Sequence, residues 1–181
     1  EILRCLVGSE MCIRDRRDYY YRLEIESIAN IILQKYNINN KINPVIIANN
    51  LNLKTMEANL SHNNIIGILD INNNSIIVNA SDDIFNKRFY VARLIGHYVL
   101  HVKGFNNTQN KVIKNKYRYN LYRDSVTTLQ FNVIYLESFY FALNLLLPKD
   151  IFLHAKANGI QLHHTNFDVT ETIFGMRLNY L

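Results

Sequence analysis

RFYVARLIGHYVLH, residues 88–101, is the segment around which the fold is predicted to be organised. It predicts a buried helix, because apolar residues occur on every side of it rather than along one stripe. Arg93, His97 and His101 follow one another at intervals of four residues, and side chains at that spacing project from nearly one helical face. Arg93 is unusual there, since a guanidinium is almost never fully buried unless a partner compensates its charge.

A second long apolar run, SVTTLQFNVIYLESFYFALNLLLP, spans residues 125–148. Its only formally charged side chain is Glu137. A helix here would bury that carboxylate unless it faced a cation or a metal ion. We therefore expect two buried helices, a central motif helix over residues 82–103 and a Glu-bearing helix over residues 125–147.

Both runs resemble the ImmA/IrrE family of zinc metallopeptidase-like proteins. That family has a helix reading roughly R-F-x-x-A-H-E-x-G-H-x-x-L-H and a second helix reading E-A-N-x-F-A-x-x-L-L-M-P. The chain is similar to the first motif at Arg88, Phe89, Ala92, Gly96, His97, Leu100 and His101, and to the second at residues 137–142 and 145–148. The resemblance implies an α+β, zincin-like metallopeptidase domain with a small β-sheet packed on helices.

The chain departs from the family at the positions that carry chemistry. In the motif H-E-x-x-H, two histidines hold zinc and the glutamate between them acts as general base. By the resemblance, Arg93 stands at the first ligand position and Leu94 at the general-base position. Arginine cannot ligate zinc and leucine cannot transfer a proton. The resemblance thus implies a remnant metal site of Arg93, His97 and Glu137, with no catalytic residue and no bound cofactor.

The fate of the two buried charges can also be predicted. In the family, the residues aligned with Arg93 and Glu137 converge on one zinc ion, so we expect the guanidinium to take the position of the metal and to pair with Glu137. Its fork can donate two hydrogen bonds to one carboxylate, and His97 could donate to Glu137 as well. In the alternative, Arg93 extends to solvent and Glu137 points into a loop.

Three classes of function remain open. The resemblance favours a catalytically inactive homologue, of bacterial, phage or mobile-element origin, that binds a protein partner such as a helix-turn-helix transcriptional repressor. The main alternative is an active zinc metallopeptidase with shifted ligands, His97, His101 and Glu137, because its two histidines have helical spacing. A nucleic-acid-binding module would rest on the basic and aromatic residues between Lys103 and Arg123. A solvated loop is favoured for that run, so nucleic acid is not an expected partner.

The first residues are excluded from this interpretation. ILRCLVGSEMCIRDR, residues 2–16, resembles the translation of a sequencing adapter. We therefore treat residues 1–17 as an artefactual or disordered head and residues 18–181 as a single ImmA/IrrE-like domain. Both cysteines, Cys5 and Cys12, lie in the head, so the remainder offers no disulfide framework and no cysteine metal site. This fits a reducing cytoplasm.

Composition sets the remaining bounds. The 181 residues are 49% hydrophobic, which is enough for one compact domain with a core. The net charge of +5 permits contact with nucleic acid but does not argue for it. The longest apolar run, residues 133–147, falls short of the ~20 residues that a membrane-spanning helix needs.

Local patterns predict the other elements. Helices are expected at residues 21–36, 44–51, 149–158 and after Thr170, and strands at residues 54–61, 65–71 and 75–79. The asparagines at residues 72–74 are typical of a tight hairpin. Ser81 is expected to cap the central helix, with Asp82 and Asp83 in its first turn. His154, His163 and His164 are expected to be surface residues rather than metal ligands.

Overall fold

The computed structural model describes residues 10–36, 42–60, 64–103, 118–123 and 133–181, and for residues 10–21 it describes the backbone alone. The helices are α1 (Glu10–Lys35), α2 (Pro44–Asn50), α3 (Ile84–Gly96), α4 (Val133–Leu146), α5 (Lys149–Ala157) and α6 (Glu171–Leu178), with a 3₁₀ turn at His164–Asn166. The strands are β1 (Lys54–Ala58), β2 (Ile65–Asp70), β3 (Ser75–Asn79) and β4 (Arg118–Tyr122). The predicted α+β class with a small sheet is confirmed.

The four strands form one mixed sheet in the order β1-β3-β2-β4. β2 runs antiparallel to β3 and to β4, whereas β1 runs parallel to β3. The predicted hairpin between β2 and β3 is confirmed: Asn74 has a φ of 45°, in the left-handed region that asparagine tolerates. β4 was not predicted, because it belongs to the run from Lys103 to Arg123 that was interpreted as a loop. Residues 104–117 of that run lie outside the described residues.

The central helix begins at Ile84 and its cap differs from the predicted one. Asp83, rather than Ser81, is the N-cap, and its carboxylate accepts hydrogen bonds from the backbone of Phe85 at 2.9 Å and of Asn86 at 3.0 Å. An aspartate directly before the first helical residue can reach these amides, whereas Ser81 lies two positions too early. The helix then widens, and residues His97–Val102 form a π-helix.

α3 is the middle layer of the domain, between the sheet and α4. The fit is close on both sides. A Cβ atom on Gly96 would lie 3.0 Å from Cδ1 of Phe141 in α4, and one on Gly67 of β2 would lie 3.0 Å from Cδ1 of Leu94. The two glycines therefore let α4 and the sheet approach the central helix. α1 packs on α4 from the far side.

The C-terminal elements are confirmed. α5 ends before Gly159, which has a φ of 66°, and the side chain of Thr170 caps α6 by accepting from the backbone of Ile173 at 3.3 Å. Arg177 of α6 is buried, and its Nε donates to the carbonyl oxygen of Leu147 at 2.9 Å. This bond fastens the last helix to the end of α4.

Two predicted boundaries need comment. α1 begins at Glu10, so its backbone is helical across the boundary drawn at residue 17, and the division into a head and a domain stays a prediction. Whether the head is foreign to the gene stays a prediction. The predicted start of the Glu-bearing helix, residues 125–132, lies outside the described residues. Within the described part of the chain, no helix is both long and apolar enough to span a bilayer.

Candidate functional site

The π-helical segment brings the motif residues together near the end of the central helix. A π-helix has more residues per turn than an α-helix and often occurs at functional sites. Here the wider hydrogen bonding is visible where the backbone N–H of Lys103 donates to the carbonyl of Tyr98, five residues earlier, at 2.9 Å. His97 and His101 lie on this segment, and α4 presents Glu137 to it.

The three polar side chains form a line rather than a cluster. Nδ1 of His97 lies 3.0 Å from Nδ1 of His101, and Nε2 of His101 contacts Oε2 of Glu137 in a short hydrogen bond. One proton arrangement has each histidine donating toward Glu137, and the reverse arrangement has a protonated Glu137 donating toward the histidines. The middle residue, His101, uses both of its ring nitrogens in this line.

Two tyrosines line the histidines. The ring of Tyr119 in β4 stacks on His97 at a centroid distance of 5.1 Å and an angle of 24°. Tyr135 in α4 meets His97 edge-on at 5.8 Å and donates from its hydroxyl to the carbonyl of Asn120 at 3.3 Å. Sequence reasoning missed Tyr119, which it placed in a solvated loop. The signal was the alternation of Tyr119 and Leu121, both buried, with more exposed neighbours.

Burial shifts the acid-base properties of the line. It raises the pKa of Glu137 to about 7 and lowers the pKa of His101 to about 4. A hydrogen bond between a carboxylate and an imidazole acts in the opposite direction on both groups. Burial is the stronger influence here, because the two side chains are only 3% and 4% exposed. The neutral forms of both groups are therefore favoured relative to the same groups in water.

Arg93 is fully buried and stands apart from this line. Its side chain has no solvent exposure, and within the described residues none of Nε, Nη1 and Nη2 has a hydrogen-bond partner. The nearest aromatic face is that of Phe139, whose ring centroid lies 5.9 Å from Cζ. Burial lowers the pKa of Arg93 to about 10, and the neighbouring Tyr135 and Tyr90 oppose that shift. The guanidinium thus remains charged near neutral pH.

The predicted pairing of Arg93 with Glu137 is wrong. No ion pair joins the two residues in the described part of the chain, and the carboxylate of Glu137 binds His101 instead. The alternative, in which Arg93 extends to solvent, is also wrong for this residue. The physical reason is that α4 directs Glu137 at the π-helical segment, where His101 reaches it, and not at the turn that carries Arg93.

Leu94, at the position of the family's general base, is also fully buried. Its side chain packs near Gly67 of β2, on the sheet side of the central helix. Leu94 is therefore part of the hydrophobic core, and its assignment to the general-base position is what the resemblance implies.

The residues present do not fit a zinc ion as they are arranged. His97, His101 and Glu137 are brought together, but His101 lies between the other two and turns one nitrogen to each. Zinc needs about three ligand atoms that face a single point. No set of three or more His, Cys, Asp or Glu side chains in the described ranges is placed to hold a metal ion. His154 and His163 are exposed, and Nδ1 of His164 lies 3.0 Å from the carbonyl of Val169.

Comparison with known proteins identifies the family of the chain. No curated protein matches the chain. The family model of the IrrE N-terminal-like domain, Peptidase_M78, matches residues 48–179. This range contains the whole sheet, the central helix, the Glu-bearing helix and both C-terminal helices. The chain therefore belongs to the Peptidase_M78 family of IrrE N-terminal-like domains.

Proposed function

We propose that this protein is a catalytically inactive member of the Peptidase_M78 family that acts by binding a protein partner, such as a helix-turn-helix transcriptional repressor. The observation that carries the proposal is the pair of substitutions in the central helix. Arg93 puts a fixed positive charge at the first ligand position and Leu94 puts an apolar side chain at the general-base position, and both are fully buried. The family's fold is retained without the groups that its chemistry needs.

Both steps of metal-assisted hydrolysis are weakened by these substitutions. A guanidinium repels a divalent cation, so metal affinity falls with the loss of the ligand. A leucine cannot accept the proton of an attacking water. The line of His97, His101 and Glu137 does not replace these groups, because its nitrogen and oxygen atoms face one another rather than a shared point.

The edge of the sheet next to the histidines is where we place the partner. β4 is an edge strand of the described sheet, and its Tyr119 stacks on His97. An edge strand offers backbone N–H and C=O groups to which an extended segment of another protein can add. Tyr122 at the end of β4 is 38% exposed and supplies an apolar contact for such a segment.

The test is a binding measurement with a cleavage control. The purified protein is titrated by calorimetry with a purified helix-turn-helix transcriptional repressor, and the masses of both chains in the mixture are then measured by intact-mass spectrometry. We expect a complex with both chains uncleaved and substoichiometric zinc. Tyr122→Asp should weaken binding by about tenfold or more, as the loss of a central aromatic contact does. Met56→Asp on β1, at the opposite edge and 48% exposed, is the matched control and should bind normally.

The same experiment can overturn the proposal. Cleavage of the repressor together with stoichiometric zinc, both lost in His101→Ala, would establish the active enzyme with the shifted ligands His97, His101 and Glu137. Equal loss of binding in Tyr122→Asp and Met56→Asp would remove the β4 edge as the binding surface. Absence of any complex with the repressor would reject this class of partner.

A further inference from the structure

We propose that Arg93 forms a buried binding site for a small free carboxylate anion. The proposal rests on one observation: Arg93 has no solvent exposure, and all three of its guanidinium nitrogens lack a hydrogen-bond partner within the described residues. The inference does not depend on how the protein uses its partner-binding surface. It concerns a ligand that neither the family's chemistry nor the proposed function requires.

An isolated charge in this position requires compensation. Burying an unpaired ion is strongly unfavourable, and an arginine does not lose its proton at neutral pH to relieve that penalty. The acidic side chain of the site, Glu137, is engaged by His101 and makes no ion pair with Arg93. The ring of Phe139, 5.9 Å from Cζ, offers a weak cation–π contact only. Within the ranges that the structure describes, no carboxylate lies within hydrogen-bonding distance of the guanidinium.

The shape of the donor set indicates which anion fits. Nε, Nη1 and Nη2 are all without partners among the described residues, so neither forked edge of the guanidinium is engaged in a hydrogen bond there. Two parallel N–H bonds from such an edge match the two oxygens of a carboxylate. A spherical anion such as chloride cannot use both bonds at their best geometry. The planar carboxylate is therefore the class of ligand that the fork selects.

The complete burial of the guanidinium indicates whether the carboxylate is a free anion or a side chain of another protein. Because Arg93 has no exposed surface, an aspartate or glutamate on a folded partner would have to carry its backbone into the core to reach it. A free anion of a few heavy atoms requires only a local opening of the packing. We therefore assign the site to a small free carboxylate such as formate or acetate rather than to a side chain of another protein.

The proposed site therefore binds a ligand of the opposite charge to the metal ion that the family's motif binds. Where the motif places a ligand for a cation, this chain places the cation itself as part of the protein. The line of His97, His101 and Glu137 remains beside it and keeps its own hydrogen bonds. The ligand that complements the altered position is an anion.

Binding can be measured with ¹³C-labelled formate as the probe. Its NMR line width is followed during titration with the full chain at constant ionic strength. We expect saturable broadening for the wild type, none for Arg93→Met, and wild-type broadening for Arg118→Met, which removes an exposed cation from β4. Arg93→Lys keeps the charge but loses the fork, so its affinity for formate should fall by about tenfold or more. Arg93→Lys also serves if Arg93→Met does not fold, as judged by circular dichroism.

Several outcomes would overturn the assignment. Equal broadening in the wild type and Arg93→Met would show that formate binds elsewhere, and its absence in the wild type would show that it does not bind. Equal affinity in Arg93→Lys and the wild type would remove the role of the fork. Tighter binding of chloride than of formate, from competition, would reject the carboxylate class. Tighter binding of N-acetyl-aspartate amide than of acetate would reject a free anion in favour of a partner's side chain.

Discussion

Among the residues whose side chains the structure describes, two arginines are buried, and their surroundings differ. Arg177 in α6 is 2% exposed, and its Nε donates to the carbonyl of Leu147, with Glu26 near enough to favour its charge. Arg93 in α3 has no exposure and makes no hydrogen bond within the described residues. Burial lowers the pKa of both. The side chains have the same chemistry and nearly the same burial. Of the two, Arg177 makes a hydrogen bond through Nε, although its Nη2 has no partner within the described residues, whereas all three nitrogens of Arg93 lack one.

The difference separates a structural residue from a site residue. A buried charge whose bonds go to a backbone carbonyl holds two elements together, as Arg177 holds α6 to the end of α4. A buried charge without such bonds, such as Arg93, does not stabilise its surroundings. Unpaired polar groups of this kind call for a functional explanation.

The largest effect is expected when the residues of the family's zinc motif are placed in the Arg93 region. Arg93→His with Leu94→Glu restores the H-E-x-x-H pattern beside His97 and Glu137. We expect zinc affinity to rise by several orders of magnitude, because the three-ligand set that a catalytic zinc needs is again complete. Elemental analysis of the dialysed protein measures this.

His97→Ala added to the double variant is the control for that restoration, and it should lose the metal again. A folded double variant that stays free of zinc would show that His101 holds Glu137 too firmly for the old site to re-form.

The two arginines themselves should respond with opposite signs. Arg177→Met removes a charged donor from a buried carbonyl and should destabilise the fold by ~1.5–3 kcal/mol. Arg93→Met removes an unpaired buried charge, so in buffer without carboxylates it should be neutral or stabilising by up to ~4 kcal/mol. Urea denaturation of both variants, with exposed Arg118→Met as reference, measures this. Destabilisation of equal size at both positions would remove the distinction between them.

The acid-base properties of the line next to Arg93 give a third test. The pKa of Glu137 is raised to about 7, so between its unfolded value and about 7 the folded state binds more protons than the unfolded state. Its contribution to stability is fully present at low pH and is lost as the pH rises through about 7. Glu137→Gln has no carboxyl group at this position and does not lose stability in this way. The free energy of unfolding of the variant minus that of the wild type should therefore rise by up to ~3 kcal/mol between about pH 4.5 and about pH 8.

His101 makes the opposite contribution. Its pKa is lowered to about 4, so its contribution is lost as the pH falls through about 6.5 toward about 4. In the wild type the two contributions nearly cancel between about pH 4.5 and about pH 6.5, whereas Glu137→Gln keeps only that of His101. Denaturation curves at several pH values measure the difference. Glu57→Gln, at an exposed ion pair with Lys87, should show no such trend, and parallel curves for Glu137→Gln and the wild type would contradict the assignment.

The smallest effect is expected at the N-terminus. Both arginines lie in the predicted domain, residues 18–181, and the preceding residues are predicted not to belong to it. Deletion of residues 1–17 shortens α1, and the first side chain of α1 that is described as buried is Ile25. The melting temperature should therefore change by no more than a few degrees, or about 1 kcal/mol. Ile25→Ala in the same helix is the control and should cost ~2–5 kcal/mol. A larger loss on deletion would make the head part of the fold.

Much of the local structure was determined by the sequence itself. The cap at Thr170 and the stop at Gly159 depend on residues within one or two turns, and the structure has both as predicted. The burial of Arg93 and Glu137 was predicted as well, because the helices around them are apolar on every side. The family followed from the two motifs for the same reason, since each is local.

Only the tertiary structure decided which buried groups meet. Glu137 contacts His101 and not Arg93 because the rotation of α4 and the widened π-helical turn set that contact, and neither is encoded in the spacing of four. β4 likewise became a strand by pairing with β2, although its basic and aromatic composition resembles a loop. Contacts between elements depend on how those elements pack, and differences of a few ångströms that the local sequence does not specify decide whether a buried charge is paired or left alone.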